Sequence, residues 1–272
     1  MTEPKEIRVG ILGCGGYAGA HARRYREIPG VTIAALGDVS IANIENLIER
    51  RLADYEPAPT RWDDSVTMLA DARLDAVSIL TPHTLHADHA VAALEAGLHV
   101  LVEKPMVTTV ADGERLRDAV AASGKVLLPG YNPVYTEPTA WLKRAIAEER
   151  FGPLKLVSSW LCQDWKNLTD GTWRHDPALS GAGQSMDSGA HLLAGLCHVL
   201  GGLPESVYAR QERRGTAVDI DSALSLAFPG GVAATVAIGG DSKGSGSGTT
   251  LLFAEARVEA DLWGGSSVAV FP

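Results

Sequence analysis

The segment Gly13-Cys14-Gly15-Gly16-Tyr17-Ala18-Gly19 is suited to bring main chain close to an anion. Gly13 permits a tight turn, Gly15 lets backbone approach a pyrophosphate, and Ala18 is small where a helix must pack closely on a strand. A helix opening after such a turn points its free amides and the positive end of its dipole at the phosphates. Asp38 ends the next apolar run, near the spacing of about 20 residues at which an acidic residue reaches a ribose. Its carboxylate is suited to accept hydrogen bonds from adenosine ribose hydroxyls and to repel a 2′-phosphate. No arginine follows at once, so the pattern favours NAD over NADP. Cys14, inside the turn, reads as a plain small residue.

Farther on, Lys104 lies in Glu103-Lys104-Pro105, and Asp187 and His191 stand four residues apart. That spacing shares a helix face, so Asp187 can hydrogen-bond His191 or hold a hydroxyl beside it. An imidazole titrates near neutral pH and can take a hydroxyl proton, and an ammonium stabilises a developing alkoxide. His83, His86 and His89 have only Asp88 near them as a carboxylate, so no metal site is expected. Trp165 and Trp173 suit either a sugar ring or the edge of a core.

These residues need elements to hold them. Ile7 to Leu12 reads as a buried strand and Gly16 to Ile28 as the helix after it. Val31 to Leu36 is a second strand, and Ser40 can cap a helix running through Leu52, with Ile41, Ile44, Leu47 and Ile48 on one face. Strands at Asp75 to Leu80, Leu98 to Val102 and Lys125 to Leu128 alternate with helices at about His86 to Ala96 and Ala111 to Ala122. This is the pattern of a parallel α/β sheet. After about Gly130 it changes: a helix over about Glu137 to Glu149, a strand over Leu154 to Leu161, an apolar helix over Ala190 to Leu200, then only strand-like runs from Val207. Gly239 to Gly248, rich in Gly and Ser, reads as a mobile loop. The expected fold is an N-terminal Rossmann domain (1–130) that binds NAD, followed by an α+β domain (131–272) with a mostly antiparallel sheet for substrate binding and oligomerisation.

Composition excludes several classes. A net charge of −9 weighs against nucleic acid and anionic membranes as partners. The opening MTEPKEIRVG lacks the basic-then-apolar order of a secretory signal, and no apolar run nears the roughly 18 residues of a spanning helix. Three scattered cysteines, Cys14, Cys162 and Cys197, suggest reduced thiols and a cytoplasmic protein.

Residues 74–105 (LDAVSILTPHTLHADHAVAALEAGLHVLVEKP), 151–159 (FGPLKLVSS) and 173–193 (WRHDPALSGAGQSMDSGAHLL), with the glycine turn, resemble the glucose-fructose oxidoreductase, inositol dehydrogenase and MocA family. The resemblance implies an NAD-dependent dehydrogenase acting on a secondary hydroxyl of a sugar, inositol or related polyhydroxy compound. It implies that Lys104 lies beside the nicotinamide and bonds the reacting oxygen, that His191 is the acid/base, and that Asp187 binds or orients substrate. Gly13, Cys14, Gly15, Gly16, Tyr17, Asp38, Thr81, Pro82, His86, Glu103, Lys104 and Asn132 are the residues it assigns to the cofactor. Leu192, Leu193 and Ala194 stand where many relatives carry a second Asp, and Pro133-Val134 where many carry an arginine. The second domain reads as shortened at its C-terminus, and its open sheet face as the surface of a homo-oligomer. Two other activities share these motifs: an NAD-dependent glycosidase acting by transient sugar oxidation, and a non-catalytic dinucleotide-binding sensor.

Overall fold

The computed structural model describes residues 6–265 and 267–272. The chain forms two compact units, Met1–Gly130 and Tyr131–Pro272.

The first unit runs β1 (Ile7–Leu12), α1 (Ala18–Arg26), β2 (Val31–Gly37), α2 (Ile41–Leu47), β3 (Thr60–Trp62), α3 (Ser65–Asp71), β4 (Ala76–Ile79), α4 (His86–Glu95), β5 (His99–Val102), α5 (Val110–Ser123) and β6 (Leu127–Pro129). Its six strands are all parallel, in the order β3-β2-β1-β4-β5-β6. Successive side chains of a strand point to opposite faces, so one strand feeds two cores. Ile11, Ile33 and Leu36 pack with Ala18, Ala22 and Ile44, while Leu12, Val77 and Ile79 pack with Ala90, Leu94 and Leu116. Continuous apolar runs such as β1 and β2 follow from burial on both faces. Strand order reverses between β1 and β4, the place at the carboxyl ends of the strands where open parallel sheets form their ligand crevice.

Local details depart from the sequence reading. The helix read through Leu52 is regular only to Leu47, and Ile48–Leu52 is wound more widely. The Ser40 hydroxyl makes no cap; its amide instead donates to Asp38 Oδ1 at 2.8 Å. Sequence patterning missed β3 and α3, since β3 has only three residues and lies at the sheet edge.

The second unit runs α6 (Glu137–Ala147), β7 (Leu154–Cys162), α7 (Trp165–Leu168), α8 (Pro177–Ser180), α9 (Gln184–Asp187), α10 (Gly189–Leu200), β8 (Ser206–Glu212), β9 (Asp221–Phe228), β10 (Val232–Gly239), β11 (Gly246–Phe253), β12 (Arg257–Ala260) and β13 (Val268–Phe271). The sheet order is β13-β12-β11-β7-β10-β9-β8, and among the described residues only the β7–β10 pair is parallel. The stretch read as a loop over Gly239 to Gly248 is mostly ladder at its ends: only residues 240–245 lie outside β10 and β11. Glycine serves the ladder here because the Trp160 indole lies across Gly246 and Gly248, where a Cβ would come within 3.2 and 2.8 Å of the ring.

One face of this sheet builds the core. Val157, Leu161, Val236, Ile238, Leu251 and Val258 pack under Leu142 of α6 and Leu192, Leu196 and Val199 of α10. The other face carries Leu156, Trp160, Leu252 and a paired row of Tyr208, Ser225, Thr235, Ser158 and Thr250, with the three large apolar side chains exposed.

Leu142 is completely buried. We predict that Leu142→Ala lowers unfolding stability by about 2–5 kcal/mol, read from the urea midpoint at constant slope.

Candidate functional site

In the first unit, the glycine turn hangs on three strand ends. Gly13 has φ +95°, and its amide donates to the Gly37 carbonyl of β2 at 2.7 Å. A Cβ on Gly13 would stand 2.6–2.7 Å from the backbone of Leu80 and Thr81, the segment leaving β4. Glycine is therefore required twice, for its dihedral angle and for this contact. The Cys14 amide donates to Asp38 Oδ2 at 2.8 Å, and Asp38 Oδ1 accepts from Ser40 N at 2.8 Å and Asn43 Nδ2 at 3.2 Å. The carboxylate read from the sequence as a ribose acceptor therefore also fixes the turn.

The turn has the shape a pyrophosphate needs. A Cβ on Gly15 or Gly16 would meet nothing within 4 Å, and their amides have no acceptor among the described residues. Tyr17 is exposed beside it, its ring edge-on to His21 at 5.5 Å. Cys14 is buried, with Sγ 3.5 Å from the Gly37 carbonyl. Burial, reinforced by the Asp38 carboxylate, pushes its thiol up to about 12 against the Gly37 contact. The thiol stays protonated at neutral pH and is no nucleophile.

His86 opens α4 and spans two loops. Its Nδ1 lies 2.8 Å from the Pro105 carbonyl and its Nε2 lies 2.8 Å from the Thr81 carbonyl. A neutral ring has a single N–H and can donate to one of the two. Burial holds its pKa below the usual histidine range, although both carbonyls and Glu103 favour the charged form; Lys104 opposes it. Pro82 precedes the short turn His83–Leu85, and Thr81 Oγ1 lies 3.1 Å from His89 Nδ1. His86 and His89 are thus committed to loop contacts. Among the described residues no group of three His, Cys, Asp or Glu is arranged to hold a metal ion.

Glu103 reaches away from the loop toward α1. Its Oε1 lies 3.0 Å from His21 Nε2, and its Oε2 accepts from the Lys104 amide at 3.2 Å. Burial opposes its charge, yet the His21 hydrogen bond and ring and the Lys104 amide and ammonium hold its pKa below the usual carboxylate range. Gly130 leaves room for it, since a Cβ there would come within 3.2 Å of Oε1. The structure so brings Gly13 to Tyr17, Asp38, Thr81, Pro82, His86, Glu103 and Lys104 into one network at the carboxyl ends of the strands. His21 was missed in the sequence. Its signal was the row Tyr17, His21, Tyr25, four apart on one face of α1, which continues to Ser78 through a 2.5 Å hydroxyl contact from Tyr25.

The second unit holds Asp187 and His191 on successive helices, not on one: α9 ends at Asp187 and α10 begins at Gly189. Asp187 is buried, and its Oδ2 accepts from Trp165 Nε1 at 2.7 Å and Arg174 Nε at 3.0 Å. Trp165 is a core residue, stacked on His175 at 5.2 Å and packed with Val218 and Ile220. Trp173 lies half-buried under the Arg174 guanidinium, 4.5 Å from its ring centre. Asp219 anchors the start of α9, taking Gly183 N at 2.7 Å and Ser185 N at 2.9 Å on its carboxylate. Gly183 has no substitute there, as its Cβ would sit 1.9 Å from the Asp219 carbonyl oxygen. His191 is half-buried, edge-on to Tyr131 at 6.3 Å. Asn132 is exposed on the short turn Asn132–Tyr135, which packs against α10. Leu192, the first of the three residues after His191, is fully buried in the core.

Residues 7–131 match the family described as an oxidoreductase family with an NAD-binding Rossmann fold, and residues 139–259 match the GFO/IDH/MocA C-terminal domain. The chain is 33% identical over 150 residues to inositol 2-dehydrogenase of Paracoccus denitrificans, a match covering 54% of this chain and 44% of that protein. It is 30% identical over 230 residues to D-xylose 1-dehydrogenase (NADP(+)) 2 of Haloferax volcanii, covering 84% of this chain and 67% of that one. The chain spans about half the length of several of the curated relatives it matches. Among solved structures, GenD2 from gentamicin A biosynthesis, in complex with NAD, superposes with a TM-score of 0.86 at 24% identity over 97% of this chain and 75% of that one, which establishes the fold.

The lowered pKa of His86 gives a sign to acid stability. The unfolded chain takes up a proton near 6.5 while the folded ring resists it, so the contribution is complete above that pH and lost as pH falls through the folded value. We expect the urea midpoint to drop between about pH 7.5 and about pH 5, and His86→Gln to be less stable overall but to show a shallower drop.

Proposed function

The chain belongs to the GFO/IDH/MocA oxidoreductase family, and from that premise we propose that it transfers hydride between NAD(H) and a secondary hydroxyl of a sugar, inositol or related polyhydroxy compound. The observation that carries this reading is the open Gly15–Gly16 turn, tied by the Cys14 amide to the Asp38 carboxylate. Free amides there suit a pyrophosphate, and Asp38, already accepting three N–H donors, keeps one acceptor site on Oδ2 for a ribose hydroxyl. The carboxylate charge favours NAD over NADP. Relatives named for inositol, glucoside and levoglucosan oxidation support the substrate class.

The dinucleotide, when bound, supplies the hydride acceptor. The protein's own residues handle the proton and the charge. His191 takes the hydroxyl proton as the alcohol becomes a carbonyl and returns it in the reverse direction. The Lys104 ammonium donates to the reacting oxygen and stabilises the alkoxide that forms as the proton leaves. Glu103, ionised against His21, fixes the main chain at Lys104 through its amide. Asp187, already held by Trp165 and Arg174, orients substrate from a rigid mount.

A panel of sugars, inositols and sugar acids with NAD should raise reduced-nicotinamide absorbance for at least one member. Lys104→Ala and His191→Ala should lower that turnover by about 10²- to 10⁴-fold while NADH binding persists. Failure of every polyhydroxy alcohol would sink the dehydrogenase reading, and better turnover with NADP would overturn the role given to Asp38.

The exposed apolar face of the second unit's sheet, with Leu156, Trp160 and Leu252, is proposed to be covered by a second copy of the chain. Light scattering coupled to size exclusion should give an oligomer for the native chain and a smaller species for Trp160→Glu/Leu252→Glu. A monomeric native chain would refute it.

A further inference from the structure

Arg174 stands on the short turn Trp173–His175 of the second unit. Its Nε donates to Asp187 Oδ2 at 3.0 Å, and the guanidinium makes no other hydrogen bond among the described residues. A guanidinium present only to neutralise a carboxylate would close on it with two parallel N–H bonds. Here one N–H holds Asp187, and the N–H groups of Nη1 and Nη2 remain for another acceptor.

The cation is fixed before any ligand arrives. Its Cζ lies 4.5 Å from the Trp173 ring centre, so the indole covers one face and limits its hydration. The turn that carries it is pinned on both sides. Thr172 Oγ1 accepts from Arg174 N at 3.3 Å and donates to the Thr169 carbonyl at 2.6 Å. His175 is stacked on the buried Trp165, and Asp176 caps α8 by taking Ala178 N at 2.9 Å. A side chain so mounted has little freedom left to lose on binding, yet it is 32% exposed and open to a ligand.

One turn earlier on α9 a second donor is arranged in the same way. Gln184 is fully buried, and its Nε2 donates to Gln163 Oε1 at 3.0 Å, which occupies the acceptor of the Gln163 amide. Half-buried Gln163 keeps the N–H groups of its Nε2, which have no acceptor among the described residues. Carboxylates close by in sequence are engaged elsewhere, Asp164 with Asn167 Nδ2 and Asp241 with Lys166 Nζ. Arg174 and Gln163 thus reach α9 a turn apart, and each has only donors left to offer.

We propose that Arg174 is a specificity-determining residue that selects a carboxylate on the substrate, so that the preferred polyhydroxy compounds are sugar acids, aldonates or uronates. A carboxylate presents two coplanar oxygens, carries the opposite charge and donates nothing, which matches a fork of donors. The hydroxyls of a neutral sugar lack that charge. The proposal rests on the dehydrogenase reading for the reaction, but not for the capture of the anion.

Paired substrates test it with the full chain and NAD: gluconate against glucitol, glucuronate against glucose, and galacturonate against galactose, each followed as reduced-nicotinamide absorbance. For at least one pair the native chain should show about tenfold or higher kcat/KM for the acid. Arg174→Gln should raise the KM for that acid by about tenfold or more and shift the KM of the neutral partner by less than about threefold. Arg174→Lys should restore part of the preference, because it keeps the charge and loses the fork. A residue that only held Asp187 would lower kcat for acid and neutral compound alike and leave their ratio unmoved. Circular dichroism and Tm check folding, and if Arg174→Gln does not fold, the ratios of the native chain and Arg174→Lys decide. Equal kcat/KM for acid and neutral partner in the native chain, or an unmoved ratio in the variant that folds, overturns the proposal. Oxidation of none of these compounds would count against the dehydrogenase reading instead. Titration calorimetry of the native chain and Arg174→Gln with gluconate and glucuronate, in the presence of NADH, then decides the anion site alone. Binding about tenfold weaker in the variant supports it, and equal or absent binding overturns it.

Discussion

One hydrogen bond, from the Cys14 amide to the Asp38 carboxylate, joins the segments leaving β1 and β2, beside the place between β1 and β4 where the strand order turns. It operates only because Gly13 carries no Cβ and lets the turn rest on the backbone of Leu80 and Thr81 at the end of β4. Three strands are thereby clamped at one edge, and the amides of Gly15 and Gly16 are left facing open space. The charge of Asp38 is satisfied by main chain and by Asn43, so it is rigid before any ligand arrives. Rigidity of that kind reduces the ordering a dinucleotide would have to impose on binding.

The same arrangement continues along the strand ends. His86 ties the Thr81 segment to Pro105, and Glu103 ties the Lys104 main chain to α1 through His21. Each of these loops is held by a polar side chain, buried at His86 and half-buried at Glu103, that reaches another segment. Burial works against the charge on Glu103, and the His21 ring with the Lys104 amide and ammonium outweighs it and holds the pKa below the usual carboxylate range. In the second unit Asp219 and Asp187 act alike, one gripping the first amides of α9 and the other gathering Trp165 and Arg174. A carboxylate so buried is tolerable because charged or N–H donors surround it.

Local chemistry made much of this legible. Glycine spacing, the apolar runs of β1 and β2 and the position of Asp38 marked the dinucleotide half, because a parallel sheet buried on both sides writes long hydrophobic strands into the chain. The Glu103-Lys104-Pro105 and Asp187–His191 motifs marked the residues proposed to carry the chemistry. Short or edge elements escaped: β3 has too few residues to show a period, and Gly246 to Gly248 looked like a loop because glycine there serves the Trp160 ring rather than a turn. Ser40 suggested a cap by type, yet Asp38 already held its amide.

The sequence by itself determined which residues are candidates to react, where strands alternate with helices, and which family the motifs resemble, since each of these depends on neighbours within a few turns of chain. Only the tertiary structure decided what each charged side chain is bonded to. Asp38 became a clamp, Trp165 a core residue, Leu192 a core plug, and His21 the partner of a carboxylate 82 positions away. Such pairings depend on distance in space between segments far apart in the chain, and no local pattern of residues encodes that distance.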